Sequence, residues 1–188
     1  MGWEIRDALP SDVLGIARVH LESWRWAYRE ILPPRSVDRL SHRSIARRWR
    51  ERLERDDPCR SVLVLARGTE IGGFASFGTS QDDPHWLGCA GETYMIYLDP
   101  ALVGHGHGAR LWAGIVERLE DQGMLWLTVW VLARNTRARR FYERMGLRLD
   151  TARRWDVHGS RSVPVVRYAR ALNPVFDFET LRGTAPIG

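Results

Sequence analysis

Apolar and polar positions alternate in "WEIRDA" (residues 3–8), and then the period changes. In "DVLGIARVHLESWRWAYREIL" (12–32) apolar residues return every third or fourth position, which predicts a short strand followed by a helix capped near Pro10 and Ser11 and stopped by Pro33 and Pro34. "SHRSIARRWRERLERDD" (41–57) predicts a second, heavily charged helix ending before Pro58. "RSVLVLA" and "IGGFASFG", joined by "RGTE" with Gly68 at the turn, predict a hairpin. A polar loop, "TSQDDPHWLGCAG" (79–91), leads into a strand, "ETYMIYL" (92–98).

"ARLWAGIVERLEDQG" (109–123) predicts a helix closed by Gly123, and "MLWLTVWVL" (124–132) is apolar without a break, as a central strand would be. "NTRARRFYERMG" (135–146) predicts a short helix capped by Asn135 or Thr136 and ended by Gly146. "LRLDTARRWDVHGSRSVPVVRYARAL" predicts strands around a turn at 158–160, and 173–188 shows no period. Strands alternating with helices define an α/β (α+β) class. With no repeat and no linker, a single domain over 1–172 followed by a C-terminal tail at 173–188 is expected.

A chain of 188 residues, 44% hydrophobic and 27% charged, suits a soluble globular unit. Its apolar runs are too short to span a bilayer, and "MGWEIRDALP" has no basic region leading into an apolar one, so no membrane role or export is expected. Cys59 and Cys89 form no CxxC pair, which leaves a reducing cytoplasm as the expected location. The net charge is +5, and all 28 basic residues are arginine. These arginines are spread among 23 acids without a basic-aromatic stripe, so the charge suits anionic ligands in general and no specific nucleic acid.

"VGHGHGAR" (103–110) places three glycines and two histidines between a strand and a helix. His105 and His107 would need a third ligand to hold a metal, and none stands out, so no metal is expected. Gly104, Gly106 and Ala109 satisfy G-x-G-x-x-G/A, but the next strand ends in Ala133, Arg134 and Asn135 where a dinucleotide site wants an acid for the ribose. Both readings share one physical content: glycines let the backbone approach closely, and N–H groups at a helix N-terminus bind phosphate.

"YLDPALVGHGHGARL" resembles the cofactor motif of the GNAT superfamily of acyl-CoA-dependent N-acetyltransferases, Q/R-x-x-G-x-G/A, with Gly106 and Gly108 in the glycine positions and Val103 in the Gln/Arg position. "LTVWVLARNTRARRFYERMGL" is similar to the family's second hallmark, a strand, an Asn and a short helix carrying Ala, Phe-Tyr and a closing Gly. "SWRWAYREILP" resembles its first-helix segment. The resemblance covers most of residues 3–170 and implies a mixed central sheet of about six to seven strands, splayed in the middle and flanked by helices.

It also implies acetyl-CoA as cosubstrate, with main-chain groups of Ile96, Tyr97 and Leu98 on the pantetheine arm. The loop Val103, Gly104, His105, Gly106, His107 and Gly108 would hold the pyrophosphate, and Asn135 would lie nearby. Tyr142 stands where the family places a general acid for the departing thiolate. Strand alternation puts Glu92, Tyr94, Ile96 and Leu98 on one face, and Glu92 is the candidate base. Trp24, Tyr28 and Trp86 are candidates for lining the acceptor site, with Asp82 and Asp83 to attract an amine. No cysteine nucleophile is needed, so Cys59 and Cys89 read as packing residues.

The function read here is acetyl transfer to a primary amine of a small molecule, by direct attack in a ternary complex. The alternatives are a non-catalytic acyl-CoA-binding sensor of the same fold and a protein N-terminal acetyltransferase. Members acting on ribosomal protein N-termini carry a glutamate where this chain has Trp130, which counts against the latter. Pairing into a homodimer is carried over from many family members.

Overall fold

The computed structural model describes residues 2–32, 40–55, 57–82, 89–158 and 161–172, and these form one seven-stranded mixed sheet with four helices. The order along the chain is β1 (Glu4–Asp7), α1 (Val13–Tyr28), α2 (His42–Glu54), β2 (Arg60–Arg67), β3 (Glu70–Thr79) and β4 (Ala90–Leu98). Then come α3 (His107–Asp121), β5 (Trp126–Leu132), α4 (Thr136–Arg144), β6 (Arg148–His158) and β7 (Arg161–Ala171). Across the sheet the strands run β1-β2-β3-β4-β5-β7-β6, and β4–β5 is its parallel pair. Each face carries its own core. On one, α1 and α2 lay Ile16, Val19, Ile45 and Trp49 over Val64 and Phe74; on the other, α3 lays Leu111 and Ile115 over Leu63, Phe77 and Leu127.

The predicted elements are present, with shifted ends. Instead of a side-chain cap, a 3₁₀ turn, Pro10–Asp12, opens α1; the Asp12 carboxylate accepts the Leu9 N–H at 2.8 Å and two bonds from Arg6 at 2.7 and 3.0 Å. Helix α3 begins two residues earlier than its apolar period, because Gly106 at φ +81° supplies a left-handed N-cap inside the glycine loop. Helix α4 ends in a Schellman motif: Gly146 at φ +84° donates to Glu143, and Leu147 donates to the Tyr142 carbonyl. That motif fixes the last turn of the helix carrying Tyr142.

His20, on α1, is wedged between Trp49, whose indole N–H donates to Nδ1 at 3.1 Å, and Tyr97, stacked at 5.4 Å. Burial, then the nearby Arg52 and Arg48, lower its pKa from 6.5 to about 4. As pH falls through 6.5 the unfolded chain takes up this proton and the folded protein does not, so stability of about 3 kcal/mol is lost progressively down to pH 4. Urea midpoints at pH 7 and pH 4.5 are expected to differ less in His20→Gln than in the unaltered protein.

Candidate active site

Strands β4 and β5 are paired only from Ala90↔Trp126 to Thr93↔Val129 and then part. The cause is visible in the register with β3: Phe77 faces Thr93, but its neighbour Ser76 faces Met95, so Tyr94 is an extra residue, a bulge. Such a bulge bends its strand away from a neighbour. It also breaks the alternation expected from "ETYMIYL". Beyond it, Met95 and Tyr97 pack on the α1–α2 face, while Ile96 and Leu98 pack on the α3 face. Glu92, opposite Gly78, therefore shares the face of Met95 and Tyr97 and not that of Ile96 and Leu98.

The gap opens a cavity of about 740 Å³ whose walls include Glu92, Tyr142, Trp24, Tyr28, Tyr97 and Asn135. Together with Ile96, Leu98, Val103, Gly104, Gly106 and Gly108, twelve of the fifteen predicted site residues thus meet in one space, which passes between the two faces of the sheet. Trp86 and Asp83 lie outside the described residues. The Asp99 N–H donates to Gly72 at 2.8 Å, so by alternation the main-chain groups of Tyr97 turn to β3 and those of Ile96 and Leu98 turn to the gap. The Leu98 carbonyl is already taken by the Ser23 hydroxyl of α1. The groups left for a ligand are therefore the Ile96 N–H and C=O and the Leu98 N–H; Tyr97 contributes its side chain instead, its hydroxyl 3.3 Å from that of Tyr28.

At the mouth of the gap, Gly104 (φ +90°) and Gly106 (φ +81°) turn the chain into α3. The first intrahelical bond is donated by Arg110 to Gly106, so the N–H groups of His107, Gly108 and Ala109 have no helical acceptor and face outward. An added Cβ at Gly108 would come within 3.3 Å of Phe141. The His107 ring meets the edge of Trp3 at 6.1 Å and lies 3.5 Å from Arg110, while His105 is exposed; the two do not converge, and the described residues contain no cluster fit for a metal. This geometry suits a phosphate held by main chain. It fits an acyl-CoA, whose pyrophosphate would lie here and whose arm would run along Ile96 and Leu98.

Glu92 is 5% exposed. Its Oε2 accepts the Gln81 N–H at 2.9 Å and lies 3.5 Å from the Ser80 hydroxyl. Burial is the main cause raising its pKa, opposed by the Gln81 bond and helped by neighbouring Asp82. Tyr142 is 7% exposed, its ring against Phe141 at 5.3 Å and Trp112 at 5.6 Å, and burial likewise raises its pKa. Asn135 caps α4 through Oδ1, which accepts the Ala138 N–H at 3.1 Å.

Two further expectations fail. Asp82 is not free to draw in an amine: it accepts from Arg167 at 2.7 Å and from the Trp130 indole at 3.1 and 3.2 Å, with Arg154 at 3.9 Å. Cys59 and Cys89 are exposed free thiols, not packing residues. Sequence reasoning also missed the Ser23 contact and Arg52, which lines the cavity from α2. Arg52 could have been found, because Ile45, Trp49 and Arg52 share the i, i+4, i+7 stripe that faces the core.

A sheet splayed at its only parallel pair among the described strands, with a glycine cradle at the mouth and an acid and a phenol inside, fits an acyltransferase that uses a nucleotide thioester. Comparison with known proteins places it more narrowly. The sequence pattern of the acetyltransferase (GNAT) family matches residues 19–147, and the chain belongs to that family. It is 33% identical over 133 residues to YuaI, an uncharacterised N-acetyltransferase of Bacillus subtilis, covering 70% of this chain and 72% of that one. The PaiA N-acetyltransferase of Thermoplasma acidophilum in complex with coenzyme A has the same fold, with a TM-score of 0.71 at 19% identity over 89% of this chain and 98% of that one. The yncA protein of Salmonella typhimurium with acetyl-CoA matches with a TM-score of 0.65 at 19% identity over 92% and 95%.

Proposed function

We propose that this protein transfers the acetyl group of acetyl-CoA to the primary amine of a small molecule, by direct attack in a ternary complex, and that residues 1–172 form the transferase unit. The observation that carries this reading is the single cavity joining the unpaired edge of β4 to Glu92 on one face of the sheet and Tyr142 on the other. The main-chain groups of residues 103–108 hold the pyrophosphate, and the gap-facing groups of Ile96 and Leu98 hold the pantetheine arm like an added strand. Structures of the PaiA protein with coenzyme A and of the yncA protein with acetyl-CoA support the choice of cosubstrate. Exposed free thiols at Cys59 and Cys89 suit a reducing cytoplasm.

Glu92 accepts a proton from the ammonium group, leaving the nitrogen lone pair free. The new C–N bond forms at the thioester carbonyl carbon as the C–S bond breaks; the thiolate takes the Tyr142 hydroxyl proton, and the second proton that the nitrogen loses on becoming an amide returns to the phenolate. Burial raises the phenol's pKa, which keeps it protonated at neutral pH and makes it a weaker acid toward the thiolate than a free phenol. Thiol release from acetyl-CoA is expected to depend on added primary amine. Release with no amine required, or none with any primary amine while acetyl-CoA binds, would reject catalysis of this kind.

A further inference from the structure

The acceptor end of the cavity carries charges that acetyl transfer alone does not use. Arg52 reaches from α2 to β3, where Nη1 donates to the buried Ser76 hydroxyl at 3.2 Å, and its guanidinium lies 5.1 Å from the centre of the Trp49 ring. Arg60 opens β2, lies over the Tyr94 ring at 5.3 Å, and meets Asp57 at 3.4 Å in a half-exposed pair of the kind that binds weakly. Both residues line the cavity. Among the described residues no carboxylate lies within 4.0 Å of Arg52, and the charge bearing on it most is that of Arg60, another cation. His20 stands on the same wall as a further donor, since Nδ1 accepts from Trp49 and the proton of the neutral ring is on Nε2.

The sheet register sets the distance from this wall to the base. Gly78 is paired with Arg60 on one side and Glu92 on the other, so with strands about 4.8 Å apart their α-carbons are about 10 Å apart, and the space that a side chain at Gly78 would take is filled by the Cys59 carbonyl. Ser76, beneath Arg52, is two residues from Gly78, about 7 Å along β3. Arg52, Arg60 and Glu92 line the same cavity. Two neighbouring guanidinium groups in a partly dry cavity repel each other, and an anion between them removes that repulsion. A plain diamine would instead bring a second cation against them.

We propose that the acceptor is an amino acid or a similar small aminocarboxylate, its carboxylate bound by Arg52 and Arg60 and its amine directed to Glu92. This assignment rests on the acetyl-transfer reading of Glu92. A phosphonate in place of the carboxylate would meet the same donors, so the source of the anion is distinguished by assay. With saturating acetyl-CoA, thiol release is measured for the common L-amino acids, their carboxamides, their decarboxylated amines and the aminophosphonate analogues.

Free amino acids are expected to be acetylated with kcat/KM at least tenfold above that of the matched carboxamide or decarboxylated amine. Arg52→Gln and Arg60→Gln, each first checked for an unchanged melting temperature and an intact acetyl-CoA shift, are expected to raise KM for the amino acid at least tenfold and to erase the preference. A tenfold preference for aminophosphonates over amino acids overturns the carboxylate and keeps the anion site. Equal or better use of carboxamides, or a preference that survives both variants, overturns the assignment while acetyl transfer stands. Thiol release with no amine of any class defeats acetyl transfer itself and this assignment with it.

Discussion

Glu92→Gln is expected to lower kcat/KM for acetyl transfer by about a hundredfold to ten-thousandfold, the usual range for a lost general base, while leaving acetyl-CoA binding intact. Gln keeps an acceptor for the Gln81 N–H, so the change removes a charge and a proton site with little alteration in shape. The pH profile separates a base from a structural acid. Burial raises the Glu92 pKa above the ordinary 4.5, so activity in the unaltered enzyme falls as pH drops through that raised value, and the variant lacks this limb. The stability linkage runs the other way. A carboxyl group whose folded pKa is raised favours folding when protonated, and that contribution is lost as pH rises through the folded value. Glu92→Gln is therefore expected to melt at a higher temperature than the parent at pH 7, with the difference closing below pH 4.5. A variant that loses activity and melts lower at pH 7 would mark Glu92 as structural.

Arg167→Ala is expected to have the largest effect on stability, about 3–5 kcal/mol in urea denaturation. Arg167 is 4% exposed and its side chain bridges two acids: Nε donates to Asp150 at 2.6 Å and Nη1 to Asp82 at 2.7 Å. Its loss leaves the Asp150 and Asp82 carboxylates buried without that partner, which costs more than the intact triad contributes. Replacing all three, as Arg167→Met with Asp150→Asn and Asp82→Asn, is expected to recover most of the loss, since no unpaired charge remains. Because Asp82 also anchors the Trp130 indole on the cavity wall, the single variant should further raise KM for the acceptor. A ΔΔG below about 1 kcal/mol, the scale of an exposed pair, would show that the triad is solvated in solution.

The elements that position the cradle were legible because their signals are local. The apolar period of α3, the unbroken run of β5 and the Asn135 cap each depend on residues within one turn or one strand. What was not legible depends on partners far along the chain. Nothing in "ETYMIYL" marks Tyr94 as the bulged residue, because the slip is defined against Ser76 and Phe77 of β3, and so Glu92 was placed on the wrong face. Asp82 looked like a free acid in a polar loop because its partner, Arg167, is 85 residues away. Ser23 and the Leu98 carbonyl meet across 75 residues, which removed one of the groups expected to bind pantetheine. Arg52 was hidden among charged neighbours, although its place on the core-facing stripe of α2 was already in the spacing.

The parting of β4 and β5, with the Gly104–Gly108 cradle at its mouth, is the proposed acyl-CoA site. Melting temperature of the purified protein with acetyl-CoA, CoA, longer acyl-CoAs and NAD(P) tests it most directly, since a ligand at a hundred times its Kd stabilises the folded state by about 2.7 kcal/mol. A concentration-dependent rise is expected with acetyl-CoA and CoA and none with NAD(P). No rise with any CoA at concentrations far above micromolar, or an equal rise with NAD(P), would contradict it.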